Sequence, residues 1–180
     1  DVLQGGANAD VLTGNGGIDT ASYTLSDDAV VINLNILTAQ VSTGHASDDK
    51  LAGIENLIGS DFNDVFTGNA LANRLEGGNG VDAMDGGAGN DILEGGANTD
   101  LLIGGGGIDT ATYANSATGV TVDLGDSSKN AGGEAQGDVL MSIENLIGSD
   151  KADTLVGDGN ANVLDGGGGG DTLVAECGID

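Results

Sequence analysis

The 180-residue chain carries 29 acidic residues against 4 basic ones, a formal net charge of -25, with 35 Gly, no Pro, no Trp, two Phe and two Tyr. That balance excludes nucleic acid and anionic membranes as partners, since both are recognised by clustered Lys and Arg, and it favours cations. Cys177 stands alone, so no internal disulfide forms, and no apolar run of about 18 residues is present to span a membrane.

Residues 1–22 open a nonapeptide pattern, Gly-Gly-x-Gly-x-Asp-x-Leu-x, with copies starting at Gly5 and Gly14. Gly supplies the positive φ that tight turns need. The three residues after Asp, apolar in the middle, suit a short strand with one inward side chain. Two nines make one coil, with a turn on each side. The pattern lapses over 23–58. There Val30-Val31-Ile32-Asn33-Leu34 and Ile54-Glu55-Asn56-Leu57-Ile58 read as strands of period two, joined by a polar loop near 42–49. This stretch has the length of two coils, so it is expected to form wider coils that continue the same solenoid.

The nines resume over 59–112, with copies starting at Gly59, Gly68, Gly77, Gly86, Gly95 and Gly104. A second insert follows over 113–147, with Val120-Thr121-Val122-Asp123-Leu124 as its strand and a polar loop near 127–136. Copies at Gly148, Gly157 and Gly166 close the chain over 148–180. A longer period overlies the short one. Gly5-Gly6-Ala7-Asn8 returns at Gly95, and Ile54 to Asp61 returns as Ile143 to Asp150, one residue early. Tyr23 and Tyr113 stand at equivalent entries to the two inserts, where packing is the expected role. The chain is thus two copies of one unit of about ninety residues. It begins and ends in mid-repeat with no visible signal peptide, as a segment of something longer would.

Position six is Asp at Asp10, Asp19, Asp64, Asp82, Asp91, Asp100, Asp109, Asp153 and Asp171, and Asn at Asn73 and Asn162; Asp1 and Asp180 share its phase. Position eight is apolar in all eleven copies, from Leu12 to Leu173. Same-edge Asp residues of alternate nines then stack one strand spacing apart, about 4.8 Å. Carboxylates that close repel unless a cation lies between them. Calcium takes six to eight oxygens with flexible geometry, and turn carbonyls freed by Gly complete its shell. One His and one Cys make zinc or copper poor candidates. A phosphate cradle lacks its Lys or helix N-terminus. A catalytic carboxylate pair would be singular, whereas these repeat, so no enzyme is expected.

Eleven copies in one phase make the sequence resemble the RTX family of calcium-binding nonapeptide repeats. The resemblance implies an all-β, right-handed parallel β-roll or β-helix solenoid with several turn-bound calcium ions. It also implies export in an unfolded state by a one-step secretion machinery and folding outside the cell. Carried onto this chain, the ligand pairs are Asp1–Asp19, Asp64–Asp82, Asp82–Asp100, Asp91–Asp109 and Asp153–Asp171. Asn73–Asp91 and Asn162–Asp180, with one charge fewer, are expected to be weaker. Asn8 and Asn98, in place of a turn Gly, tolerate left-handed geometry. The function expected first is secretion, folding and scaffolding of a large exoprotein. The alternatives are a calcium-dependent adhesin or glycan-binding module, and a self-associating surface-layer or filament subunit.

Overall fold

A computed structural model of the protein describes residues 1–176; Cys177 and the expected ligand Asp180, with its pairing to Asn162, lie outside the described residues. The first part of the chain forms β1 (Val2–Leu3), β2 (Val11–Thr13), β3 (Thr20–Ser22), β4 (Val31–Asn33), β5 (Lys50–Ala52), β6 (Asn56–Ile58), β7 (Val65–Thr67), β8 (Arg74–Asn79) and β9 (Ala83–Ala88). The second part forms β10 (Ile92–Ala97), β11 (Leu101–Gly106), β12 (Thr110–Thr112), β13 (Thr121–Asp123), β14 (Val139–Met141), β15 (Asn145–Ile147), β16 (Thr154–Val156), β17 (Val163–Asp165) and β18 (Thr172–Val174). The only helical elements among the described residues are three-residue 3-10 turns in the insert loops, at Gly44–Ala46, Ser127–Lys129 and Gly133–Ala135.

These strands pair in parallel and wind the chain into a β-roll. One face is a continuous eight-stranded sheet, β1-β3-β6-β8-β10-β12-β15-β17. The other face is three shorter sheets, β2-β5, β4-β7-β9-β11-β14 and β13-β16-β18. Within the Gly-rich blocks, strand partners lie eighteen residues apart, as Arg74 with Ile92 and Ile92 with Thr110. Two nines therefore make one coil.

The inserts explain the broken face: the first has the length of two coils, yet it forms only one. On the continuous face Thr20 lies opposite Asn56 and Thr110 opposite Asn145, so each insert is a single oversized coil. On the other face each insert lays down two strands that do not pair with each other. β5 pairs back with β2 and β4 forward with β7. β14 pairs back with β11 and β13 forward with β16. The residue missing from the second copy falls between β13 and β14. The step from Val31 to Lys50 is nineteen residues and that from Thr121 to Val139 is eighteen, while the flanking steps match.

The core follows from period two in three-residue strands, since only the middle side chain points inward. Position eight is buried at Leu12, Phe66, Leu75, Met84, Leu93, Leu102 and Leu155, and as a small side chain at Ala21 and Ala111. Leu164 is partly buried and Leu173 is exposed, at the end of the described roll. The inserts extend the same file with Ile32, Leu51 and Leu57 in the first and Val122, Leu140 and Leu146 in the second. Each Leu so buried contributes about 1.5–3 kcal/mol, but there is one per strand, so the core is thin. Tyr23 and Tyr113 pack into it at the insert entries, 2% and 0% exposed. Their hydroxyls donate to Asp49 (3.1 Å) and Asp138 (3.0 Å).

Candidate metal centres

Position six is the last residue of each turn, directly before a strand, so its side chain falls between the two sheets' edges. Asp19, Asp64, Asp82, Asp91, Asp100, Asp109 and Asp153 are at most 2% exposed. Burying a carboxylate costs several kcal/mol unless its oxygens find partners. One oxygen finds them in the neighbouring coil. The Asp64 N–H donates to Asp82 Oδ1 (2.7 Å), the Asp82 N–H to Asp100 (2.8 Å), the Asp91 N–H to Asp109 (2.8 Å) and the Asp153 N–H to Asp171 (3.1 Å). The Asp1 main-chain nitrogen lies 3.0 Å from Asp19 Oδ1, with the Asp1 side chain exposed. All five expected pairs are adjacent in space, each joined through the main chain of its earlier member. Asn73 joins Asp91 in the same way, at 2.8 Å.

The second oxygen divides the positions into two groups. In Asp10, Asp19, Asp82, Asp91, Asp100 and Asp109, Oδ2 is buried and has no hydrogen-bond partner among the described residues. At Asp64, Asn73, Asp153 and Asn162 the corresponding oxygen accepts the N–H of the second residue of its own turn: Ser60 (2.6 Å), Asn69 (2.8 Å), Ser149 (2.6 Å) and Asp158 (2.8 Å). Asp171 is half-buried, in a Gly-Gly turn whose Gly167 has φ +74°.

The unpartnered oxygens of Asp19, Asp82, Asp91 and Asp109 share a cleft with a carbonyl oxygen. A Cβ on Gly86 would collide with Asp91 Oδ2 and with the carbonyl oxygen of Gly104, one coil on; a Cβ on Gly77 would meet Asp82 Oδ2 and the Gly95 carbonyl oxygen. Glycine at turn position one therefore leaves a cleft into which a carboxylate and a carbonyl oxygen both project. Among the described residues, no three carboxylate, imidazole or thiol groups converge on one point. The donors available are single carboxylates with backbone carbonyls, all hard oxygens. That set fits calcium and gives zinc or copper no nitrogen or sulfur. Asn8 and Asn98 hold φ of +82° and +89°, the left-handed geometry expected of them.

Four acidic residues of this ladder escaped the sequence reading. Glu55 and Glu144 accept the N–H of Asp19 (2.9 Å) and Asp109 (2.8 Å). Asp49 and Asp138 accept that of Asp10 (2.7 Å) and Asp100 (2.9 Å). Each directly precedes a strand with an apolar middle residue, which is the signal that marks position six elsewhere. In Asp49 and Asp138 the other oxygen takes the tyrosine hydroxyl, so no bare oxygen remains.

Without a cation, burial pushes the Asp82 carboxyl up to about 7, with Asp100 and Asp64 adding repulsion, and Asp100 up to about 6; Asp64 and Asp91 are also raised by burial. These values exceed the unfolded carboxylate's, near 3.9. The protonated groups therefore contribute stability fully below pH 3.9, and it is lost as pH rises through about 6 to 7. The calcium-free chain is expected to gain β structure between pH 8 and pH 5. In the same window protons compete with calcium, so the calcium midpoint rises as pH falls. Circular dichroism of the chelated chain that is identical at both pH values would contradict this.

A family model described as RTX calcium-binding nonapeptide repeat (4 copies) matches residues 1–21, 51–82, 76–111 and 142–173, more than half of the chain. No curated protein matches it.

Proposed function

Because the chain belongs to the RTX calcium-binding nonapeptide repeat family, we propose that this calcium-binding repeat module folds outside the cell and serves the secretion, folding and scaffolding of a large exoprotein. The observation that carries this reading is the set of six position-six carboxylate oxygens that are buried without partners among the described residues. A fold that buries bare charge is unfavourable by itself and becomes favourable when a cation lies against those oxygens. Calcium supplies that counter-charge. Asp10, Asp19, Asp82, Asp91, Asp100 and Asp109 would hold it, with turn carbonyls such as Gly95 and Gly104 as the neutral donors.

The rest follows from the chain's own residues. With a net charge of -25, self-repulsion opposes compaction until the carboxylates are neutralised. The thin core, one apolar side chain per strand, is too small to overcome that repulsion alone. In calcium-poor cytosol the chain stays extended, which suits threading through an export channel. RTX repeat proteins are typically secreted, and no helix among the described residues is long and apolar enough to cross a membrane. The role proposed is binding and folding, without catalysis. The carboxylates recur along the whole roll and serve as repeated structural ligands.

Circular dichroism in chelator and then in millimolar calcium tests the reading. A largely unfolded spectrum that becomes β-rich on adding calcium is expected. An equally folded chain in chelator would overturn it.

A further inference from the structure

The two groups of turns differ at one place. In all six turns with a bare oxygen, the second residue has positive φ: Gly6 +89°, Asn15 +68°, Gly78 +107°, Gly87 +95°, Gly96 +93° and Gly105 +101°. In the four turns whose position-six oxygen accepts its own turn's amide, that residue is Ser60, Asn69, Ser149 or Asp158, none of which has positive φ. The physical link is the orientation of the amide. Most residues with a Cβ avoid positive φ, Asn15 being the exception here; at negative φ the N–H points inward, onto the carboxylate or amide of position six. Positive φ turns that N–H away. The Gly87 amide, for instance, donates outward to Asp85 Oδ1 (3.0 Å), leaving Asp91 Oδ2 bare.

The second residue also closes the turn with its side chain. Ser60 Oγ bonds both oxygens of Asp64 (2.9 and 3.0 Å) and accepts the Phe62 N–H (3.1 Å). Ser149 repeats this on Asp153 and Lys151. Asn69 and Asp158 accept the N–H groups of Leu71 and Asn160, both at 2.8 Å. Such a turn has no bare oxygen to offer a cation. Asn at 73 and 162 confirms that charge is dispensable there, because an amide oxygen fills the same slot.

We propose that the backbone conformation of the second residue of each turn decides whether it takes calcium, and that the four turns of 59–64, 68–73, 148–153 and 157–162 are closed by their own amides and take none. This rests on the calcium-binding reading above. The four turns are the two that follow each insert, in both copies of the ninety-residue unit. Each insert is thus joined to the repeat block after it by two turns that hold their shape without the ion, and Tyr23–Asp49 and Tyr113–Asp138 within the inserts put a hydroxyl in the same role. Calcium control is confined to the turns whose second residue has positive φ, Gly in all but the Asn15 turn.

The test is the number of calcium ions bound per chain, by equilibrium dialysis with metal analysis, for wild type, Asp64→Asn, Asp153→Asn, Asp82→Asn and Asp91→Asn. The first two variants are expected to match wild type, and the last two to bind at least one ion fewer each. Loss of an ion in Asp64→Asn or Asp153→Asn, or full binding in Asp82→Asn and Asp91→Asn, would overturn the proposal while leaving the calcium module intact. A wild-type chain that binds none would overturn the module itself. Ser60→Ala, which keeps the inward amide and removes only the hydroxyl, gives a second reading should Asp64→Asn fail to fold. Its ion count is expected to equal that of wild type, and a lower one counts against the proposal.

Discussion

Calcium is expected to fold the chain in one steep transition, with a Hill slope well above one and a midpoint of roughly 10⁻⁴ to 10⁻³ M, the range of extracellular calcium modules. The steepness comes from the ladder. Asp82 donates its N–H to Asp100 and accepts that of Asp64, so ordering one turn presents the next with half of its contacts. Nearest-neighbour coupling of this kind makes repeat folds cooperative. At ten times the dissociation constant each ion contributes about 1.4 kcal/mol. Six such turns supply about 8 kcal/mol, comparable to the whole stability of a typical domain. Where free calcium is far scarcer, that contribution vanishes. A titration followed by circular dichroism and by bound-ion count measures both quantities. A slope near one, or a midpoint below about 10⁻⁶ M, would mean gradual folding or folding before export, and the location switch would fail.

Asp82→Ala and Asp91→Ala are each expected to raise the calcium midpoint several-fold and to lower the steepness, while Asp126→Ala leaves both unchanged. Each of the first two carboxylates is lost twice over. Its bare Oδ2 disappears from the cleft, and its Oδ1 no longer receives the N–H of Asp64 or Asn73. An amide left unpaired in a buried turn costs about 1–3 kcal/mol. Asp126 is a matched control of the same residue type outside the ladder. It caps the 3-10 turn Ser127–Lys129 from an exposed position, accepting from the Ser128 N–H (3.2 Å) and hydroxyl (2.6 Å). Indistinguishable midpoints for all three variants would mean that position six is not where calcium acts.

A solenoid makes sequence unusually informative, because each residue's tertiary neighbour lies at a fixed distance along the chain. Position eight gave the buried file from Leu12 to Leu155, and position six the stacked carboxylates, since both depend only on a period of nine and strands of period two. Pairings such as Asp82 with Asp100 could be named from spacing alone. What spacing hid lies where that distance changes. Asp49 meets Asp10, and Glu55 meets Asp19, at intervals set by an oversized coil whose two strands pair in opposite directions along the roll. The reach of Tyr23 to Asp49 depends on the same coil. The two kinds of turn were equally hidden. Asp64 and Asp82 occupy one motif position, yet the amide of Ser60 faces the first, while Gly78 at φ +107° leaves the second bare. The period fixed where each carboxylate would stand, because a repeat sets position by counting. Whether its second oxygen was already satisfied depended on which way one peptide plane turned, and that was decided by the folded turn.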